Sequence, residues 1–153
     1  MTPGFYRQGD IPIDGALLYH PIDGPVVLAQ DIYYLGKDGR KYWAHERLET
    51  DGASIPKLAW RIIGTPFGVP GWGRKHPSYL MAALVHDDIC AHAETLERGA
   101  RWELRKVADL LFDEMLDFLA VPGWKVKLMY PAVRVHAIVS LLRKKVDKNK
   151  ETT

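Results

Sequence analysis

Up to about residue 60 the apolar positions come in short runs broken by turn residues, whereas beyond residue 77 they recur at helical spacing. Val26-Val27-Leu28 and the stretch Asp31 to Leu35 are rich in β-formers. Lys37-Asp38-Gly39-Arg40 then reads as a hairpin turn leading into Lys41-Tyr42-Trp43-Ala44. This pattern predicts one small antiparallel sheet. Gly64 to Pro77 carries glycines and prolines that break helix and strand alike, which predicts a long shaped loop. A first helix is expected from Pro77 to about Glu94, with Leu80, Ala83, Leu84 and Asp87 at its spacing. A second, about Arg101 to Leu119, has a broad apolar stripe of Leu104, Val107, Ala108, Leu111, Phe112, Met115, Phe118 and Leu119, and Val121-Pro122-Gly123 ends it. A third is started or kinked at Pro131 and carries Val135, Ile138, Val139 and Leu142. The fold class that follows is α+β, a small N-terminal antiparallel sheet beside a three-helix unit.

Composition adjusts this picture in three ways. A length of 153 residues with 47% hydrophobic and 26% charged residues suits a single globular domain, assigned to 1–146, with 147–153 as a basic tail. Twenty-one basic against 19 acidic residues leave a net charge of +2, so no global field marks specific nucleic-acid binding. The local surplus at Arg143-Lys144-Lys145 suits the C-terminal end of a helix. Cys90 stands alone, so no intrachain disulfide is expected. No run approaches the roughly 18 apolar residues of a membrane span, and Met1 to Asp10 lacks the basic and apolar regions of a signal peptide. The expectation is a protein with no transmembrane segment and no classical export signal.

Two helical residues carry the candidate chemistry. His86 lies among Leu80, Met81, Ala82, Ala83, Leu84, Val85 and Ile89, where an imidazole needs a hydrogen-bonding partner. Asp109 lies at the edge of the apolar stripe of the next helix, and antiparallel packing would bring the two together. Such a pair fixes the ring tautomer and leaves the other nitrogen to take a proton from water. The same pair could equally serve only to satisfy itself inside a core. Asp87 and Asp88, with a glycine-rich loop before the helix, resemble parts of a hard-cation site of the kind calcium occupies. Asp87 and Asp51 are the candidate carboxylate ligands of such an ion. Asp51-Gly52-Ala53-Ser54-Ile55-Pro56 also reads as a tight bend whose carboxylate caps backbone N–H groups. Ser54 lacks a nucleophile elbow, Cys90 reads as a packed thiol, and the remaining histidines lack paired zinc spacing.

Several short motifs stand in one order: D-G-A-S-I-P at 51–56, A-A-L-V-H-D at 82–87, A-D-x-x-F at 108–112 and Y-P-A-V-R at 130–134. Over roughly residues 45–137 this order resembles a family of small phage and prophage proteins, a domain of unknown function, and the resemblance implies a phage context. The helical part also looks like the core of prokaryotic secreted phospholipase A2. The likeness rests on Pro66-Phe67-Gly68-Val69-Pro70, His86-Asp87, Asp109 to Met115 and Tyr130-Pro131-Ala132-Val133. It implies His86 as the base that activates water, Asp109 as its orienting partner, and Asp87 as a calcium ligand with carbonyls near Gly68. Cys90 stands where that family has a tyrosine, its disulfides are absent, and a strand-rich segment replaces its preceding helix.

The function expected from these readings is a phage-associated, calcium-assisted hydrolase with a His–Asp dyad, acting on phospholipid or another envelope ester. The alternative is a non-catalytic protein of the virion or tail assembly, or a host-interaction factor, with phage structural proteins as partners. A cell-wall amidase shares the phage context but lacks zinc ligands. Location in the cytoplasm of the infected host, with or without entry into the virion, goes with either.

Overall fold

The computed structural model describes residues 2–13, 18–19, 26–50 and 79–131. Among the described residues seven short strands come first: β1 (Gly4–Arg7), β2 (Ile11–Pro12), β3 (Leu18–Tyr19), β4 (Val26–Leu28), β5 (Ile32–Leu35), β6 (Lys41–Ala44) and β7 (Glu49–Thr50). Two helices follow, α1 (Leu80–Glu94) and α2 (Arg98–Phe118), and a third, α3, is helical over 123–131. The class is α+β, as the pattern predicts, but the strands form two antiparallel sheets rather than one. Four strands lie in the order β2-β1-β5-β6 and three in the order β3-β4-β7.

Period-two alternation sorts the larger sheet into two faces. Phe5, Ile32, Tyr34 and Ala44 join the main core with the helices, while Tyr6, Tyr33 and Leu35 form a second cluster with Trp43 on the other face. The register pairs Phe5 with Tyr34 and Tyr6 with Tyr33 across β1 and β5, so aromatic rings meet on both faces. The β5–β6 hairpin turns through Gly39 at φ +76, a left-handed conformation that glycine adopts without penalty. Asp38 Oδ1 accepts the Arg40 N–H at 3.0 Å inside that turn.

Leu80 to His86 are all buried in succession, which makes the first half of α1 a central helix packed on every side. From Asp87 to Cys90 the helix is only half-buried. A three-residue turn joins it to α2, which begins at Arg98, earlier than the stripe indicates. Arg101 Nη2 donates to the carbonyls of Glu94 and Leu96 at 3.2 and 3.1 Å, satisfying acceptors that the end of α1 leaves open. Arg105 Nη2 meets Glu94 Oε1 at 2.5 Å.

The buried face of α2 is Arg105, Ala108, Asp109, Leu111, Phe112, Met115 and Leu116. Val107 and Phe118, placed in the stripe by periodicity, are exposed. The face is rotated toward Asp109 because a polar side chain that finds a buried partner can occupy a core position. The third helix also departs from expectation: it starts at 123, just after Pro122, and Pro131 lies in its described part instead of starting it. Pro122 accepts the Lys125 and Val126 N–H groups at 2.8 and 3.2 Å, so Val121-Pro122-Gly123 both closes one helix and opens the next. Among the described residues no helix is long and apolar enough to cross a membrane. The domain's end near 146, the 147–153 tail and the Gly64–Pro77 loop lie outside the described residues.

Candidate active site

The antiparallel packing of α1 and α2 brings His86 and Asp109 together, as the two helical patterns predict. His86 Nε2 lies 3.0 Å from Asp109 Oδ1. His86 is 3% exposed and Asp109 1%, so the pair is enclosed by protein. The Phe112 ring, one turn along α2 from Asp109, stands 5.2 Å from the imidazole and forms an apolar wall.

The other ring nitrogen is not left open, contrary to the expectation from the helices alone. Asp87 Oδ1 lies 3.5 Å from His86 Nδ1, and Cys90 Sγ lies 3.9 Å from the same atom and 3.7 Å from Nε2. Cys90 follows by one helical turn, so its thiol reaches the ring by ordinary i, i+4 geometry. Burial works against a charged imidazole here, but the bonds to Asp109, Asp87 and Cys90 outweigh it and hold the ring well above the usual histidine range. A ring so placed keeps its proton readily, and acts as a base only after giving it up.

Asp88, read with Asp87 as part of one carboxylate cluster, faces elsewhere. Its Oδ2 accepts from the His45 ring Nδ1 at 2.6 Å and from the His45 backbone N–H at 3.2 Å. This second His–Asp pair joins the end of β6 to α1, two elements far apart in sequence, and helical or strand periodicity carries no signal of it. Arg105, buried on the same face of α2 as Asp109, likewise gives no signal in the apolar spacing.

Of the three candidate calcium ligands, Asp87 alone is described, and Asp51 and Gly68 lie outside the described residues. Asp87 supplies a hard oxygen of the right chemistry at the half-buried margin of the pair. Among the described residues no three His, Cys, Asp or Glu side chains cluster as a metal-binding group.

The signature of a family described as protein of unknown function (DUF1353) matches residues 26–133. The chain belongs to the DUF1353 family. That span takes in β4 to β7, both described His–Asp pairs and the described part of α3, so the family is defined over the segments that build the site. The chain is also 35% identical over 109 residues to y4jT, an uncharacterised protein of Sinorhizobium fredii (strain NBRC 101917 / NGR234). The match covers 71% of this DUF1353 chain but only 28% of y4jT, little more than a quarter of that relative's length. No solved structure matches.

Proposed function

We propose that this DUF1353 protein is a hydrolase in which His86 activates water and Asp109 holds the ring, acting on a phospholipid or another ester of a cell envelope. The observation that carries the reading is the 3.0 Å contact of His86 Nε2 with Asp109 Oδ1, which leaves Nδ1 aimed at the half-buried stretch of α1. In the neutral ring Nδ1 takes the proton of a water as its oxygen adds to the ester carbonyl, and Asp109 steadies the imidazolium that forms. Phe112 keeps bulk water from the back of the ring. Asp87, with Asp51 and the Gly68 carbonyl, would hold calcium, which when bound supplies a positive charge that polarises the carbonyl. The likeness of the helical segment to phospholipase A2 and of the motif order to phage proteins supports the same reading, with action in the infected host cell.

The test is turnover of a dispersed short-chain phospholipid in millimolar calcium. His86→Asn should remain folded and lose on the order of 10²- to 10⁴-fold in rate. Equal turnover in the folded variant, or none in the wild type, sinks the reading.

A non-catalytic role in phage assembly is the second reading. It is favoured by the depth of His86 and by the exposed apolar side chains Leu110 on α2 and Trp124 and Leu128 on α3. Stoichiometric copurification with phage particles, together with absence of hydrolysis, would select it.

A further inference from the structure

The larger sheet ends in two edges that are finished differently. β2 is two residues long, and beside it the Ile13 N–H donates to the Phe5 carbonyl of β1 at 3.0 Å. By the alternation of an antiparallel ladder, Pro12 is then the residue whose backbone faces outward. Proline has no N–H to offer a further strand, so this edge is closed.

β6, at the opposite end of the order, is four residues long and has no proline. Which of its groups face outward follows from the hairpin. Gly36 N–H donates to the Arg40 carbonyl at 2.9 Å and Gly39 N–H to the Gly36 carbonyl at 3.0 Å, so Gly36 and Arg40 form a hydrogen-bonded pair. Bonded and non-bonded pairs alternate from there, which makes Tyr34 with Tyr42 and Ile32 with Ala44 the next bonded pairs. The N–H and C=O groups of Lys41, Trp43 and His45 therefore point away from β5. His45 agrees: its N–H donates to Asp88 Oδ2 and its carbonyl accepts the Leu48 N–H, both at 3.2 Å. Among the described residues nothing bonds to the outward backbone groups of Lys41 and Trp43. Lysine often guards an edge by its charge. Here the Lys41 ammonium is drawn onto the outer face, 2.6 Å from Asp10 Oδ1 and 4.5 Å from the centre of the Tyr33 ring.

We propose that β6 is the contact through which two copies of this chain join edge to edge, making one continuous sheet of their two four-stranded sheets. The open groups select the partner. They lie two residues apart, and a two-fold axis at Tyr42 sets Lys41 opposite the partner's Trp43 and Trp43 opposite the partner's Lys41. Every open donor then meets an open acceptor. Each pairing sets a cation beside an aromatic ring and opposes no like charges. A longer strand from another protein would gain no further backbone bond, because Asp88 and Leu48 already hold the groups of His45, and Gly36 holds the Arg40 carbonyl. The inference is independent of the hydrolase reading.

Amide hydrogen exchange of the wild-type chain, read residue by residue from about 20 μM to about 1 mM, tests it. Tyr42 and Ala44 should be protected throughout. Lys41 and Trp43 should exchange freely when dilute and slow by about tenfold or more when concentrated, as sedimentation shows monomer giving way to dimer. Lys41→Pro removes an outward N–H at the first strand position, where proline leaves the β5 ladder intact, and should weaken association about 100-fold. Lys41→Ala keeps the N–H and should stay within about tenfold of the wild type. Lys41 and Trp43 amides protected alike at every concentration would mean that the edge is already covered. Amides that stay fast at the highest concentration, or a dimer that forms without slowing them, would mean that no second copy sits there. Each of these results overturns the proposal, as does equal association of the two variants. Should Lys41→Pro fail to fold, the wild-type exchange still decides.

Discussion

The two His–Asp pairs use the same side chains to opposite ends. In one, carboxylate and imidazole are both enclosed, the ring is engaged through Nε2, and its remaining nitrogen faces Asp87 and Cys90. In the other the ring is mostly in solvent, is engaged through Nδ1, and presents Nε2 outward. Burial makes the first pair expensive to break, because each ion has given up its water and depends on the other. Exposure makes the second cheap, since solvent screens its charges and replaces lost bonds. Strength and chemical availability therefore separate here.

The largest expected effect follows from breaking the buried pair on one side. Asp109→Ala should destabilise the protein by about 3–5 kcal/mol, the usual cost of leaving a buried charge without its partner. Urea denaturation measures it. The double variant His86→Leu with Asp109→Leu should recover much of that loss, because an apolar pair has no desolvation to repay. A double variant no more stable than Asp109→Ala would show that the site depends on shape at that point more than on charge.

Between the extremes lies the clasp of the larger sheet to α2. The buried Tyr34 hydroxyl donates to Glu114 Oε1 at 3.0 Å, and the same oxygen accepts the Lys37 N–H at 2.9 Å. Tyr34→Phe should cost about 1.5 kcal/mol, as for a hydrogen bond to a charged acceptor. Burial first, and Glu114 second, push the Tyr34 phenol well up from its ordinary value, and on the hairpin burial and Asp38 push Tyr42 up to about 12. A group raised on folding contributes its stability in full below the unfolded value of about 10 and loses it as pH rises further. Stability should thus fall above about pH 10, and the fall should be shallower in Tyr34→Phe. An identical slope in the variant would remove Tyr34 from the cause.

What could be read in the sequence divides along the same line. Helical spacing identified α1 and α2, their antiparallel packing and hence the His86–Asp109 contact, because both residues lie on faces that the core selects. Hairpin chemistry at Lys37–Arg40 likewise located β5 and β6. Periodicity gave no warning of β1, whose Phe5 and Tyr6 pair at the centre of the larger sheet, because four residues are too few to show alternation against a polar, glycine-bearing terminus. It does not mark the start of α3 because Pro122 and Gly123 carry the signal of a helix end, whereas proline also suits a helix start. The His45–Asp88 pair was illegible for a different reason: it joins residues 43 positions apart through a turn set by Asp31, Leu28 and a left-handed Arg47, none of which belongs to a repeating pattern.

The smallest expected effect decides whether the contrast between the pairs is real. Asp88→Asn keeps an oxygen that can accept the His45 backbone N–H and the ring Nδ1–H, and removes only the charge. With the ring largely in water, that charge should be worth no more than about 1 kcal/mol, and less as salt is raised toward about 1 M. Asp109→Asn, shielded from ions by its burial, should show a loss that salt hardly changes. Urea midpoints of both variants at low and high salt test the distinction. A loss above about 2 kcal/mol in Asp88→Asn that persists at high salt would mean that the outer carboxylate bears structural weight beyond a surface ion pair. The outward pair would then be a structural tether between β6 and α1, and the contrast with the buried pair would narrow to exposure alone.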